Sequence, residues 1–201
     1  MSKIGVLALQ GDFIEHTNIL DNIGVESVQV RLSSQLAEID ALIIPGGEST
    51  TIGKLAVDFN MLGDLQKFGK RKPIWGTCAG AIFLSKDVRR EQPLLGLMNI
   101  LVARNAFGRQ VDSFEIDLDI PVLNNITSEG NEKIKQGPFH AIFIRAPVIE
   151  AVLGNAEILG TLPNGEIVAA QEGHWLATSF HPELTNDDRF HRYFHSLIGN
   201  N

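Results

Sequence analysis

The chain has 201 residues, of which 44% are hydrophobic and 20% are charged, which is an ordinary composition for a globular protein of one domain. Its formal net charge of −7 argues against a nucleic-acid partner, because the binding of phosphates requires a basic patch. No run reaches the roughly 18 apolar residues of a membrane span, and the N-terminus lacks the apolar segment of a signal peptide. A single cysteine cannot form an internal disulfide, so the sequence predicts a reducing, cytoplasmic setting.

The first half of the chain alternates short apolar runs with segments of helical periodicity. Such runs are typical of strands that are buried on both faces of a parallel sheet. Strands are predicted at Lys3–Leu9, Val25–Leu32, Asp40–Ile44 and Pro73–Trp75, and helices at Phe13–Ile23 and Met61–Phe68. This alternation predicts an α/β fold in three layers, with a mostly parallel central sheet between two layers of helices.

The second half of the chain is richer in strands. They are predicted at Asp112–Leu118, Ala141–Arg145, Glu157–Leu162, Ile167–Gln171 and Trp175–Phe180, before a final helix at Asp187–Ile198. Residues 162–165, Leu-Pro-Asn-Gly, have the composition of a hairpin turn. The polar segment 119–138 is expected to form a long surface excursion. Because no linker or repeat divides the chain, residues 1–201 are predicted to form one domain.

The only cysteine lies in a motif that favours a nucleophile. Residues 76–80, Gly-Thr-Cys-Ala-Gly, are the thiol counterpart of the G-x-S-x-G nucleophile elbow, and they connect a predicted strand to an apolar helical segment. Such a turn holds Cys78 in a strained conformation at a helix N-terminus, where the thiolate is favoured. The N–H of Ala79 would then face an oxyanion on the attacked carbonyl. A lone cysteine is otherwise most often a small buried hydrophobic residue, but the order of strand, elbow and helix reverses that expectation.

A histidine and a carboxylate follow the last predicted strand. In an extended chain, His181 and Glu183 project to the same side. Pro182 ends the sheet at its carboxyl edge, where open α/β sheets bind ligands and where Cys78 is also expected. The sequence therefore predicts a catalytic triad in which His181 deprotonates Cys78 and Glu183 orients the imidazole. A structural histidine beside a solvated glutamate is the alternative, which the elbow disfavours.

Two other patterns are weaker. His191 and His195 are four residues apart on the final helix, but no third ligand or H-E-x-x-H frame accompanies them, so an exposed helix face is expected. Residues 47–54 superficially resemble a phosphate-binding loop, but Glu48 and Leu55 stand where that motif requires Gly and Ser or Thr. We therefore predict neither a metal nor a cofactor.

Three motifs together resemble those of the class I, triad-type glutamine amidotransferases: residues 45–51 (Pro-Gly-Gly-Glu-Ser-Thr-Thr), 76–80 and 180–183 (Phe-His-Pro-Glu). A closer likeness is to the glutaminase subunits of pyridoxal 5′-phosphate synthase, at residues 5–11, 46–51, 104–115, 143–147 and 181–185. The resemblance implies a flavodoxin-like fold. It also implies the hydrolysis of L-glutamine to L-glutamate and ammonia through a γ-glutamyl thioester.

The same resemblance implies further roles in the site. Gly47 would supply a second N–H to the oxyanion, beside that of Ala79. The residues implied to hold L-glutamine are Gly47, Glu48, Ser49, Arg104, Ile144 and Arg145. An arginine fork suits the α-carboxylate of the substrate, and a carboxylate suits its α-ammonium group. The implied partner is a (β/α)₈ synthase subunit that receives ammonia through a tunnel and builds pyridoxal phosphate.

Two other functions stay open at this level. The chain could supply ammonia to a different synthase, such as imidazole glycerol phosphate synthase, although residues 104–115 and 143–147 disfavour this. It could also be a regulatory subunit that binds its partner without turnover. The intact set of Cys78, His181 and Glu183 argues against a purely regulatory role.

Overall fold

The structure, a computed structural model, describes residues 2–104, 113–126 and 135–199. The strands are β1 (Lys3–Leu7), β2 (Glu26–Val30), β3 (Ala41–Ile44), β4 (Ile74–Thr77), β5 (Ser85–Asp87), β6 (Met98–Ala103), β7 (Ser113–Leu118), β8 (Phe139–Ile144), β9 (Val148–Val152), β10 (Glu157–Thr161), β11 (Ile167–Glu172) and β12 (Trp175–Thr178). The α-helices are α1 (Phe13–Asn22), α2 (Ser49–Asp58), α3 (Leu62–Gly69), α4 (Ala79–Leu84) and α5 (Arg189–Ser196). Short 3₁₀ helices cover Ser33–Glu38, Pro121–Asn125 and Pro182–Leu184.

The main sheet has the strand order β2-β1-β3-β4-β12-β11-β9-β6-β5, and β10 also pairs with β11. Neighbouring strands from β2 to β12 are parallel, as are β5 and β6. The strand β11 is antiparallel to β12, β9 and β10, and β6 is antiparallel to β9. Strands β7 and β8 form a separate antiparallel pair. The predicted α/β architecture with a mostly parallel central sheet is confirmed.

The two faces of the sheet bury two separate hydrophobic clusters. On β3, Leu42 and Ile44 belong to the cluster that includes side chains of α2, α3 and α4. Ala41 and Ile43 belong to the cluster that includes side chains of α1 and α5. All four residues are fully buried, which explains why this strand is an uninterrupted apolar run. Among the described helices, none combines the length and the apolar character that crossing a bilayer requires.

The strands and helices expected from the sequence are present with slightly shifted ends. For example, β1 ends at Leu7 rather than at Leu9. The predicted hairpin turn joins β10 to β11, with the N–H of Gly165 donating to the carbonyl of Leu162 at 2.8 Å. Asp112, which is predicted to begin β7, lies outside the described residues.

Other expectations differ from the structure. Four elements, α2, β5, β6 and β9, are not predicted from the sequence pattern. The helix α2 begins inside a Gly-, Ser- and Thr-rich motif with low helix propensity. The burial of Ile52 and Ala56 against the sheet stabilises that helix. The interpretation of 119–138 as a surface excursion is wrong at Ile120 and Leu123, whereas residues 135–138 are exposed as expected. Ile120 and Leu123 are buried, because the 3₁₀ helix Pro121–Asn125 and the residue before it pack their apolar side chains on the core. The rest of that segment, residues 127–134, lies outside the described residues, as do residues 105–112.

Close backbone contact explains the glycines around the β4–α4 turn. A Cβ atom on Gly80 would lie 1.9 Å from the carbonyl oxygen of Ile44, and one on Gly76 would lie 2.4 Å from the backbone of Gly80. The helix α4 can therefore rest directly on β3 and β4 only because these positions lack side chains. This contact sets the position of the turn that carries Cys78.

We expect Gly80→Ala to lower the free energy of unfolding by about 3 kcal/mol or more, because the backbone oxygen of Ile44 cannot move away without disturbing β3. The matched control is Gly63→Ala in α3, where nothing lies within 4 Å of the added Cβ. That variant should gain about 0.5 kcal/mol from its better helix propensity. Urea denaturation followed by circular dichroism measures both changes. Equal stability of the two variants would contradict the contact.

Candidate active site

Cys78 occupies a strained turn between β4 and α4. Its φ of 48° and ψ of −106° lie in the left-handed half of backbone space, which a residue with a side chain rarely adopts. The N–H of Cys78 donates to the carbonyl of Thr178, at the end of β12, at 2.8 Å. The residue is 6% exposed. The predicted elbow geometry is therefore present, and it lies at the carboxyl ends of β4 and β12.

His181 and Glu183 lie just beyond the end of β12. His181 Nδ1 and Glu183 Oε1 are 2.7 Å apart, and both side chains are buried. The expectation of an extended chain at this point is wrong, because Pro182 begins a 3₁₀ helix. The two side chains still meet, since His181 is the residue that precedes this helix and Glu183 lies in its first turn.

The electrostatic surroundings of His181 favour its protonated form. Burial lowers the pKa of His181, but interactions with Cys78 and Glu183 outweigh burial and raise the pKa to about 10. Burial raises the pKa of Glu183, and its contact with His181 opposes that effect. Asp12 Oδ2 lies 3.5 Å from His181 Nδ1, and burial raises the pKa of Asp12. The arrangement can therefore hold an imidazolium between a sulfur and a carboxylate.

A cavity of about 350 Å³ opens beside Cys78. Its lining residues are Gln10, Gly47, Glu48, Ser49, Cys78, Ala79, Ile82, Arg104, Arg145 and Pro147. The structure thus brings most of the predicted site residues together around one space of a size that suits a small polar ligand. Ile144 does not line it, and is 40% exposed at the end of β8. The lining does not include His181, which is 5% exposed.

Three of the lining residues, Gln10, Ile82 and Pro147, are not predicted site residues. For Gln10 a signal exists, because it lies just after β1, at the carboxyl edge of a parallel sheet. Its Oε1 accepts a hydrogen bond of 2.8 Å from the N–H of Glu48. Gln10 therefore holds the backbone of the Gly47–Glu48 segment in place.

Glu48 has a structural role as well as a place in the cavity. As the N-cap of α2, it accepts hydrogen bonds from the N–H groups of Thr50 and Thr51, at 3.2 and 2.7 Å. Arg104 donates to its Oε1 at 2.8 Å. Burial raises the pKa of Glu48, but the hydrogen bonds from Thr50 and Thr51 outweigh it and lower the pKa to about 2. Glu48 and Arg104 therefore present a fixed pair of opposite charges at one wall of the cavity.

The expectation of an exposed face at His191 and His195 is wrong. His191 is fully buried, and its Nε2 lies 2.9 Å from Nδ1 of His16. His195 Nε2 lies 2.6 Å from the hydroxyl of Ser2. The error arises because α5 packs these residues against α1 and the chain start, which spacing along the helix alone does not reveal.

One group of potential metal ligands occurs among the described residues, formed by Asp12, His181 and Glu183 with donor atoms within 4.8 Å of one another. The His181 Nδ1 atom is already engaged by Glu183, so a metal at this point would have to break that contact. We assign no metal to this group, and the expected absence of a metal stays a prediction.

The chain is similar to known proteins over nearly its whole length, including every segment that contributes a residue to this site. A profile of the SNO glutamine amidotransferase family matches residues 6–198. A curated relative from Herpetosiphon aurantiacus, "Pyridoxal 5′-phosphate synthase subunit PdxT", is 54% identical over 199 residues, which cover 96% of this chain and 99% of that protein. A relative of the same name from Moorella thermoacetica is 53% identical, covering 98% of this chain and 100% of that protein. The crystal structure of a glutamine amidotransferase matches with a TM-score of 0.87 and 46% identity, covering 98% of both chains.

We expect Glu48→Gln to lower the free energy of unfolding at pH 7 by about 1 kcal/mol, through loss of the charged N-cap and of the contact with Arg104. The depressed pKa of Glu48 means that its stabilisation is complete above its ordinary value of 4.5 and is lost as the pH falls toward 2. The difference between wild type and variant should therefore shrink below pH 4.5 in urea titrations. The exposed Glu91→Gln serves as the control and should differ little from wild type at any pH. A difference at Glu48 that is constant with pH would contradict this account.

Proposed function

This chain belongs to the SNO glutamine amidotransferase family, and we propose that it hydrolyses L-glutamine to L-glutamate and ammonia for a synthase partner. The observation that carries the proposal is the alignment of Cys78, His181 and Glu183 beside a cavity with fixed charges of both signs. A thiol, an imidazole and a carboxylate in this order form a nucleophile, a base and a group that orients the base.

The proposed reaction begins with attack of the Cys78 thiolate on the side-chain amide carbon of glutamine. A C–S bond forms, and the carbonyl electron pair moves to the oxygen, which the N–H groups of Ala79 and Gly47 would stabilise. His181 then donates its proton to the amide nitrogen, the C–N bond breaks and ammonia leaves. A water molecule attacks the γ-glutamyl thioester while His181 takes its proton, and collapse of the intermediate releases glutamate and the thiolate. Glu183 holds the imidazole and stabilises its charged form throughout.

The charges of the cavity suit the amino-acid end of glutamine. Arg104 and Arg145 are available to its α-carboxylate, and Glu48 to its α-ammonium group. The ion pair of Glu48 and Arg104 places both signs side by side, which matches a zwitterion better than a substrate with one charge. Arg145 has a φ of 45°, so its backbone makes a tight turn directly after β8. Ser49 and Ile144 complete the proposed set, although Ser49 is 1% exposed and Ile144 does not line the cavity.

We also propose the destination of the ammonia. The relatives that match nearly their whole length are named as subunits of pyridoxal 5′-phosphate synthase. The partner would then be a (β/α)₈ synthase subunit, and the reaction would take place in the cytoplasm, where a catalytic thiol stays reduced. Co-purification with that subunit, rather than with imidazole glycerol phosphate synthase, tests this assignment.

Cys78→Ala should reduce glutamate release from L-glutamine by about a thousandfold or more, because no other side chain can form the thioester. The assay uses the purified chain alone and mixed with the synthase subunit. Circular dichroism and co-purification serve as controls, and both should be unchanged. A chloroketone analogue of glutamine should add one adduct to the wild type, seen by intact mass, and none to the variant. Turnover that survives in Cys78→Ala would contradict the proposed nucleophile.

Arg145→Gln should raise the KM for glutamine by about tenfold or more with a smaller change in kcat, since it removes a charge that binds the substrate and not one that acts on the amide. The control is Arg90→Gln, an exposed arginine that does not line the cavity. Steady-state kinetics of the complex with the synthase measures both. The assignment of Arg145 fails if KM stays at the wild-type value.

A further inference from the structure

Two fully buried histidines lie behind the carboxylate of Glu183. His16 belongs to α1 and His191 to α5, and His16 Nδ1 is 2.9 Å from His191 Nε2. The other ring nitrogen of His16, Nε2, is 3.3 Å from the hydroxyl of Thr77 and also 3.3 Å from Oε2 of Glu183. Thr77 directly precedes Cys78 in the chain. The mechanism proposed above makes no use of either histidine.

The second oxygen of Glu183 needs a donor. Its Oε1 contacts His181, whereas Oε2 is buried and forms no well-aligned hydrogen bond within the described parts of the chain. A buried carboxylate oxygen without a donor destabilises the ionised form. His16 Nε2 lies 3.3 Å from this oxygen, and His16 is itself fully buried.

The contacts select one tautomer for each histidine. His191 Nδ1 is buried without a hydrogen-bond partner among the described residues. A proton there would leave an N–H group without an acceptor, so the proton of His191 belongs on Nε2, which then donates to Nδ1 of His16. The proton of neutral His16 must in turn lie on Nε2, on the side of Thr77 and Glu183. The opposite pair of tautomers would point a lone pair of His16 at the carboxylate.

Both histidines are held in the neutral form. Burial, with added repulsion from His191, lowers the pKa of His16 well below its ordinary value. Burial lowers the pKa of His191 to about 3. In the part of the chain that the structure describes, three titratable groups therefore face the pair of His181 and Glu183. They are Cys78, Asp12 and His16, and His16 stays neutral.

We propose that His16 is a positioning residue for the triad: its Nε2–H, oriented by His191, donates toward Oε2 of Glu183 and keeps that carboxylate ionised and directed at His181. The consequence for turnover rests on the proposed function. The contact itself affects how His181 and Cys78 share a proton, and this can be measured without any substrate.

The test compares His16→Leu, which removes the donor, with His16→Gln, whose amide can place an N–H near the same point. The measurement is the rate of alkylation of Cys78 by iodoacetamide as a function of pH, which reports the thiolate–imidazolium pair. His16→Leu should move the midpoint upward by about one pH unit, because a less ionised Glu183 stabilises the imidazolium less. His16→Gln should restore most of the shift. The control is His140→Gln, at a histidine on β8 whose side chain is 42% exposed, and it should leave the profile unchanged.

Turnover supplies a second readout. In the complex with the synthase, His16→Leu should lower kcat for glutamine by about tenfold with little change in KM, because His16 is fully buried and does not line the cavity. The wild type could show no glutaminase activity while the alkylation midpoint of His16→Leu still lies above that of the wild type. In that case the proposed function fails and this inference stands. If the profile of His16→Leu superimposes on that of wild type, or if His16→Gln is shifted as far as His16→Leu, the inference is overturned.

Nitrogen-15 NMR of the wild type tests the same idea should His16→Leu fail to fold. The ring nitrogen shifts should show His16 and His191 as neutral Nε2–H tautomers from pH 6 to pH 8, with assignments from the His16→Gln and His140→Gln spectra. Protonation of His16 at Nδ1, or a charged His16 in this range, would refute the proposed donation.

Discussion

The parallel pairing of β4 with β12 is the constraint on which the rest of the site depends. Ile74 lies opposite Trp175, and Thr77 lies opposite Thr178, so both strands end at the same edge of the sheet. The hydrogen bond from Cys78 to Thr178 extends this register by one residue beyond β4. A one-residue slip would reverse the facing of every side chain along β12 and separate the imidazole from the sulfur. The hydrophobic clusters on both faces oppose such a slip, because every residue of β4 is buried.

The backbone strain and the buried polar groups of the site are destabilising, and the packing of the surrounding residues compensates for them. The backbone of Cys78 is strained, and the side chains of His181 and Glu183 are nearly removed from water. A Cβ on Gly46 would lie 2.5 Å from His181 Cε1, so the loop before α2 packs directly on the imidazole. Rigid packing of this kind holds charged groups in place where water would otherwise solvate and disorder them.

The cavity wall shows how one residue serves both fold and chemistry. Glu48 is the N-cap of α2, and the same carboxylate holds Arg104, which directly follows strand β6 in the mostly antiparallel half of the sheet. The cavity therefore lies between the two halves of the sheet. Its charge pattern depends on their relative placement as much as on the residues themselves.

Much of this protein is determined by its sequence alone. Cys78, His181 and Glu183 lie in short motifs whose turns and spacing are local properties, and an uninterrupted apolar run such as β3 follows from burial on two faces. Only the tertiary structure decided that Glu183 lies in a 3₁₀ helix and that His16 lies behind its carboxylate. The physical reason is that the position of His16 depends on how α1 and α5 pack together on one face of the sheet. The spacing of residues within a single helix carries no information about the partner that the helix meets.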